Sequence, residues 1–530
     1  MRFYAVPCLL LAFVSATLAQ TTIMPTTTLT AETANNTSTA DTFTAQSNGN
    51  VGAGNVSKVD THSFLYTQST TKIYAHFMGW FGQSNHMDVG YTSSDPSQVQ
   101  KQVADALSRG ISGFILDWYG PNNSMPNNTA FALKSEAESR NGAFLFSVMM
   151  DGGALGVCAS TAGCDLTQEM INDLNYAYTN FEGSPAYMTL DGRPIVTFFD
   201  PDRYGTLDWA TISANVSGNP LFIFRNSGGF THASTSGSFS WVIINTTNAN
   251  DWGQSYLDNF YSTALSYPSE HAFAANYKGF NDTLASWGSK RIMNQNCGQT
   301  WLNTFSEIPK YYSGTQQLKS VQLVTWNDYE EGTELESGID NCVSVSGSMN
   351  GTVLNWTTSG SEGTLDHYTV FISPDGEGLM SLGDFAPSTH SLDLASYNFA
   401  VGSYTLYIRA VGRPSFANHM SSAISYGNSA PAPDFTLTAT PSSQNVPRSS
   451  TTTYTVLETA LNGFSGSVAL SVAGVPGGGS ATFSPATIGA NQSSTLSVTV
   501  GNGRGKYTLT ITGTSGTLSH STNVVLNVTK

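Results

Sequence analysis

Charge is scarce in this sequence of 530 residues, and positive charge is scarcest: 11% of side chains are charged, with 21 Lys or Arg against 37 Asp or Glu. A net charge of -16 without a basic run excludes nucleic acid and anionic membrane as electrostatic partners, because both require Lys and Arg gathered on one face. Beyond the first twenty residues no stretch approaches the roughly 18 apolar residues that span a bilayer, so no membrane insertion by helix is expected. No Gly-rich phosphate fingerprint follows the first strand-like segment, which argues against an open dinucleotide-binding sheet. Cysteine is sparse, five in all, and no His-rich motif flanks any of them, so neither a metal nor another cofactor is implied.

What is present suits a secreted, multidomain chain. Arg2, the apolar stretch Val6 to Val14 and the small residues up to Ala19 read as a signal peptide over 1–19, cleaved near Ala19. Cys8 falls inside it. Four cysteines remain for an oxidising compartment, and the short spacing of Cys158 and Cys164 predicts one disulfide, leaving Cys297 with Cys342 as the second. Residues 20–62, rich in Thr, Ser, Asn and Ala, read as a linker, since they carry too little apolar surface to offset ordering entropy.

From Thr71 short apolar runs alternate with amphipathic stretches, the pattern of βα repeats. Strands are expected at Lys72–Trp80, Ile111–Tyr119, Ala143–Asp151, Pro194–Asp200, Leu221–Arg225, Phe239–Ile244, His271–Tyr277 and Val321–Trp326, with Arg291–Asn294 competing for a place. After the first strand, Asp95 as N-cap and Pro96 at the first helical position open a helix whose Val99, Val103 and Leu107 share one face. Eight strands in this span predict an α/β fold, a (β/α)8 TIM barrel over 63–340, for which about 250 residues is typical. Beyond it, period-two alternation predicts two all-β sandwiches, fibronectin III-like at 341–428 and immunoglobulin-like at 435–530, joined by the Pro-rich residues 429–434.

In a barrel enzyme the reacting groups lie just past the carboxyl ends of the strands. The densest signal there is Val324-Thr-Trp-Asn-Asp-Tyr-Glu-Glu-Gly-Thr333, which sets Asp328 and Glu331 three residues apart at a strand end. Glycoside cleavage needs such a pair, one carboxyl protonating the departing oxygen and the other serving as base or nucleophile. Capping of a following helix or calcium binding is the competing structural explanation. Around the pair, His76, Trp80, Asp117, Trp118, Tyr119, Asp151, Asp200, Asp202, Asn276, Trp326, Asn327 and Tyr329 are candidate substrate contacts, because carboxylates and aromatic rings at strand ends suit sugar binding.

Trp326-Asn-Asp-Tyr with Glu331-Gly-Thr333 resembles the last-strand motif of family 71 glycoside hydrolases, the α-1,3-glucanases or mutanases, and of the related family 99 endo-α-mannosidases and mannanases. Tyr74-Ala-His-Phe-Met78, Tyr91-Thr-Ser-Ser-Asp95 and Gly113-Phe-Ile-Leu-Asp117 are similar to the opening of family 71 barrels. The resemblance spans about Ile73 to Gly338. It implies a barrel hydrolase without cofactor, with α-1,3-glucan as substrate, Glu331 as general acid and Asp328 as assisting base. Family 99 has Glu-Trp-x-Glu where Asp328 and Tyr329 begin the motif here, so the family 71 side is favoured. The alternatives are an α-mannan substrate, or a secreted carbohydrate-binding protein that has lost turnover.

Overall fold

The computed structural model describes residues 55–530; the segment read as a signal peptide and most of that read as linker lie outside them. Eight parallel strands form the first part: β1 Lys72–Met78, β2 Gly113–Trp118, β3 Leu145–Asp151, β4 Arg193–Phe199, β5 Leu221–Arg225, β6 Gly237–Phe239, β7 His271–Asn276 and β8 Ser320–Leu323. Each pairs with the next, and β8 returns to β1 with Lys72 opposite Ser320, so the sheet closes into a barrel without edges. Both faces are covered, which is why these strands read as unbroken apolar runs rather than alternating ones.

Helices α1 Pro96–Ser108, α2 Ser124–Ser139, α3 Leu166–Ala177, α4 Trp209–Asn215, α5 Gln254–Leu265 and α6 Gln299–Glu307 lie between the strands. Helix α1 begins as its sequence dictates. The Asp95 carboxylate accepts the Ser97 N–H at 2.9 Å, Pro96 loses no needed donor, and Val99 and Val103 are fully buried against the sheet. The β5–β6 connection is only the 3-10 turn Ser227–Thr231, and after β8 the chain runs through an irregular segment into the next domain.

Three expectations are corrected. The sixth strand is Gly237–Phe239, not Phe239–Ile244: it is Thr235 to Ser238, polar in sequence, that leads the chain between β5 and β7. A Cβ at Gly237 would stand 2.1 Å from the His271 carbonyl oxygen, so this strand needs glycine for its close approach. Ile292–Met293 is no barrel strand; it pairs antiparallel with Phe280–Asn281 in a hairpin beyond β7. Residues 55–62 are not all linker, because Val56 bridges to Ala417 and Thr61 hydrogen-bonds the Arg109 carbonyl through both its N–H and its hydroxyl.

A first β-sandwich follows, with sheet Ser344–Asn350, Val353–Ser359 and Ser391–Asp393 and a second in which Leu365–Ser373 lies between Met380–Phe385 and Gly402–Gly412. It packs on the barrel. Phe416 is fully buried in the barrel's own core, the Trp301 indole N–H donates to Pro414 O at 3.1 Å, and the Arg413 guanidinium lies 4.7 Å from the Phe64 ring centre. The chain divides into two compact units, one running to Asn398 and including Ser403–Tyr426, the other Phe399–Gly402 with Gly427–Lys530. The second unit is a sandwich of a four-stranded and a five-stranded sheet, its core built from the alternating residues Leu496, Val498 and Val500, Leu509 and Ile511, and Val524, Leu526 and Val528. Both expected disulfides are present, Cys158–Cys164 and Cys297–Cys342.

Candidate functional site

Residues facing the barrel interior at the carboxyl ends of the strands meet at one mouth. Asp117 stands opposite Met78 in the β1–β2 register and Asp151 opposite Phe199 in the β3–β4 register, so both carboxylates end their strands on that side. Asp328 arrives from the far side of β1, on the segment after β8. There the Thr325 hydroxyl accepts the Asp328 N–H at 2.8 Å, and Asp328 Oδ1 accepts the Glu331 N–H at 2.9 Å. This turn fixes the two carboxyls relative to each other. It is completed by Gly332 at φ 61° and by Asn281, whose N–H donates to Glu331 O at 2.7 Å.

The four carboxyls influence one another. Burial, then the charges of Asp151, Asp328 and Glu331, push Asp117 well above the usual carboxylate range, and its Oδ1 has no hydrogen-bond partner. Burial followed by Glu331 does the same to Asp328, opposed by the Glu331 N–H. Glu331 is raised to about 7 by burial, with the guanidinium groups of Arg291 and Arg225 pulling it down. Asp151 is raised to about 6 by burial, against the Gly153 N–H, Arg203 and the Tyr119 hydroxyl. The mouth can therefore hold protons at neutral pH, the condition for general-acid chemistry.

Other predicted residues divide into two groups. Trp80 and Tyr119 belong to the mouth: their rings meet edge to face at 6.1 Å, and Trp80 stacks on His86 at 5.2 Å. Asp200 is exposed and ion-paired with Arg225, and with Asp202 it lines an adjoining cavity of about 370 Å³ that Arg203, Arg225, Asn226 and His232 share. Asp202 is largely committed there as an acceptor for the Leu207 N–H at 2.9 Å and the Trp209 indole.

The remaining candidates are buried, several of them holding the barrel together. Trp118 points outward, fully buried, its indole N–H donating to Asn127 of α2 at 3.2 Å and its ring stacked on Tyr176 of α3. Trp326 is fully buried between Phe114 and the Arg109 guanidinium. Asn327 is consumed by the backbone: its Oδ1 accepts the Met78 N–H at 2.7 Å, and its Nδ2 donates to Met78 O and to the Tyr91 hydroxyl. Tyr329 is buried and donates to Glu336 at 3.1 Å. His76 lies in the barrel interior, bonded to Gln322 Oε1 at 2.8 Å and held by burial at about 4, hence neutral. Asn276 is fully buried at the end of β7, and neither its Oδ1 nor its Nδ2 has a hydrogen-bond partner among the described residues. Trp118 follows Asp117 directly on β2, and a one-residue step along a strand reverses the face.

Several groups at the site carry no sequence motif. Arg203 and Arg291 come from loops, and Arg225 was visible only as a strand-ending residue. Glu330 is buried and accepts the His86 Nδ1 proton at 2.9 Å and the Met87 N–H at 3.1 Å, tying the first loop to the segment after β8. Among the described residues no group of three or more His, Cys, Asp or Glu is arranged to hold a metal ion.

A closed parallel barrel with buried carboxyls gathered at its carboxyl-terminal mouth is compatible with a glycoside hydrolase, and the sequence comparison assigns that class. Residues 69–335 match glycosyl hydrolase family 71, half of the chain. This protein belongs to that family. No match is found among curated proteins. Solved structures with some likeness include the Bacteroides uniformis β-glucuronidase 3, at 8% identity over 86% of this chain and 62% of that one, TM-score 0.31. Another is the endo-β-1,4-mannanase of Thermotoga petrophila, at 7% identity over 87% and 98%, TM-score 0.29. Domains 4 and 5 of the S-layer protein SbsC align at 16% identity over 31% and 77%, TM-score 0.17. Scores this low carry no argument about this chain.

Proposed function

We propose that this protein is a secreted hydrolase of an α-linked polysaccharide, α-1,3-glucan in particular, and that Asp328 and Glu331 are its catalytic carboxyls. The observation that supports this most is their common turn at the barrel mouth, closed by the Glu331 N–H on Asp328. The substrate reading rests on the likeness of the Trp326-to-Thr333 motif to those of α-1,3-glucanases, and secretion on the signal-like first residues together with two disulfides.

In this reading Glu331 donates its proton to the glycosidic oxygen as the bond to the anomeric carbon breaks, and Asp328 directs a water, or itself adds, to the opposite side of that carbon. An acid raised to about 7 is protonated in a mildly acidic medium and can still release its proton. Burial, then the Glu331 charge, raise Asp328; with Glu331 neutral that charge no longer adds to burial, and the Glu331 N–H favours the Asp328 anion.

The test is reducing-sugar release from α-1,3-glucan, α-mannan, α-1,4-glucan and β-glucan, with Glu331→Gln as control. Release from α-1,3-glucan is expected, and Glu331→Gln should lower kcat on the order of 10²- to 10⁴-fold while sugar binding survives. Release from α-mannan alone would overturn the substrate, and undiminished turnover in Glu331→Gln would overturn the acid assignment.

A further inference from the structure

The first sandwich carries a cavity of its own, of about 580 Å³, lined by Trp356, Thr357, Thr358, Gly360, Glu362 and His390. None of these residues enters the chemistry above. Their arrangement is built rather than incidental. Glu362 Oε1 accepts the Tyr368 hydroxyl at 2.6 Å and lies 3.3 Å from His390 Nε2, and Tyr368 also bonds Thr358. The Trp356 ring meets Tyr368 edge to face at 5.7 Å and Phe385 at 6.1 Å, which fixes its orientation. Trp356 is only 3% exposed, and its indole N–H has no hydrogen-bond partner. A buried donor without an acceptor is costly, and an oxygen of a ligand would relieve it.

The chemistry of the lining selects a ligand class. Thr357 and Thr358 both donate and accept, Glu362 accepts, His390 does either according to tautomer, and Trp356 donates. Such a mixture matches the adjacent hydroxyls of a neutral sugar, each both donor and acceptor. One carboxylate and no Lys or Arg among the lining residues turn away anionic ligands. The cavity is open rather than enclosed, which suits a stretch of a long chain more than a small molecule sealed from water. His390, about two-fifths exposed in its side chain, supplies a ring face at the opening.

We propose that this pocket binds neutral polysaccharide, so that the first sandwich holds the polymer on which the barrel acts. The choice of α-1,3-glucan as first polymer rests on the substrate reading above; the pocket itself does not. The test uses the full chain with Glu331→Gln to prevent degradation, co-sedimented with insoluble α-1,3-glucan and with α-mannan. Glu362→Gln, His390→Ala and Thr357→Arg, introduced one at a time, should each weaken retention at least fivefold without shifting the melting temperature. In the otherwise intact enzyme the same three should leave turnover of short soluble oligosaccharides unchanged while slowing release from insoluble polymer. Thr357 is exposed, so its replacement fills the pocket without disturbing the core and remains decisive even if the other two disturb folding. Retention equal to the parent's in Thr357→Arg, or no retention of either polymer by the parent, overturns the proposal. Pocket-dependent retention of α-mannan with no cleavage of α-1,3-glucan would keep the pocket and overturn only the substrate reading.

Discussion

Asn327 and Asp328 are neighbours in sequence with opposite fates. Asn327 satisfies both backbone groups of Met78 and so stitches the segment after β8 to the end of β1, whereas Asp328 keeps its carboxyl at the mouth. Asn327→Ala leaves the buried Met78 N–H unpaired and the Met78 carbonyl with only the Ser93 hydroxyl at 3.3 Å, so it should lower stability by about 1–3 kcal/mol, read from the midpoint of urea unfolding. An unchanged midpoint would mean that water replaces the amide. Lys278 and Glu334 form a pair at 2.7 Å, both side chains almost wholly buried. Lys278→Met strands a charge and is expected to cost about 3–5 kcal/mol, while Lys278→Met combined with Glu334→Leu should recover most of it. The double-mutant cycle measures that recovery. Glu331, raised to about 7, makes a kinetic prediction: as the acid it must be protonated, so kcat/KM should fall about tenfold per unit above pH 7. A profile flat to pH 9 would remove Glu331 from that role.

At the scale of elements, what matters is how the segment after β8 is held, since no helix caps it. Cys342 bonds Cys297, which lies just before α6, and closes 45 residues that contain α6, β8 and the whole Asp328–Glu331 turn. Chain-entropy arithmetic gives about 4 kcal/mol for a loop of this length against about 2 kcal/mol for the six-residue Cys158–Cys164 loop. Cys297→Ser with Cys342→Ser should therefore depress the melting temperature more than Cys158→Ser with Cys164→Ser, as calorimetry would read directly. Equal shifts would imply that residual structure already closes the long loop in the unfolded chain. Elements were legible in proportion to their burial. Strands covered on both faces, such as β2 and β3, stood out as apolar runs, and α1 announced itself by its cap and its stripe. Strand β6 did not, because its Gly237 and Ser238 serve backbone approach and hydrogen bonding, with the Ser238 hydroxyl on Phe224 O at 2.7 Å. Its place depends on β5 and β7, which are distant in sequence.

For the whole molecule, buried carboxyls dominate the dependence of stability on pH. Asp151, Asp173, Glu182 and Glu331 are raised by burial to about 6, 7, 8 and 7. Groups raised in the folded state bind protons that the unfolded chain has released, so their contribution is complete below about pH 4 and is lost as pH climbs through 6 to 8. His76, lowered to about 4, acts oppositely, adding stability as pH rises from about 4 to 6.5. The raised carboxyls, Asp117 and Asp328 among them, outnumber the histidines lowered by burial, His76, His271 and His419, so the melting temperature should be higher at pH 5.5 than at pH 8, and the reverse order in a thermal-melt series would contradict the assigned burial. The acidic pair, the carboxylates at strand ends, the cysteine pairing and the succession of βα repeats and alternating strands were determined by sequence alone, because they depend on local periodicity and on residue types at short spacing. Which side of each strand faces the mouth, and so why Asp117 is available and Trp118 is not, was decided only when the barrel closed. Tertiary structure also chose the partners: the loop arginines beside Glu331 and Asp151, the Glu330–His86 link, and Phe416 of the sandwich in the barrel core. These contacts join residues far apart in the chain, and their energies come from burial and charge proximity that no local pattern records.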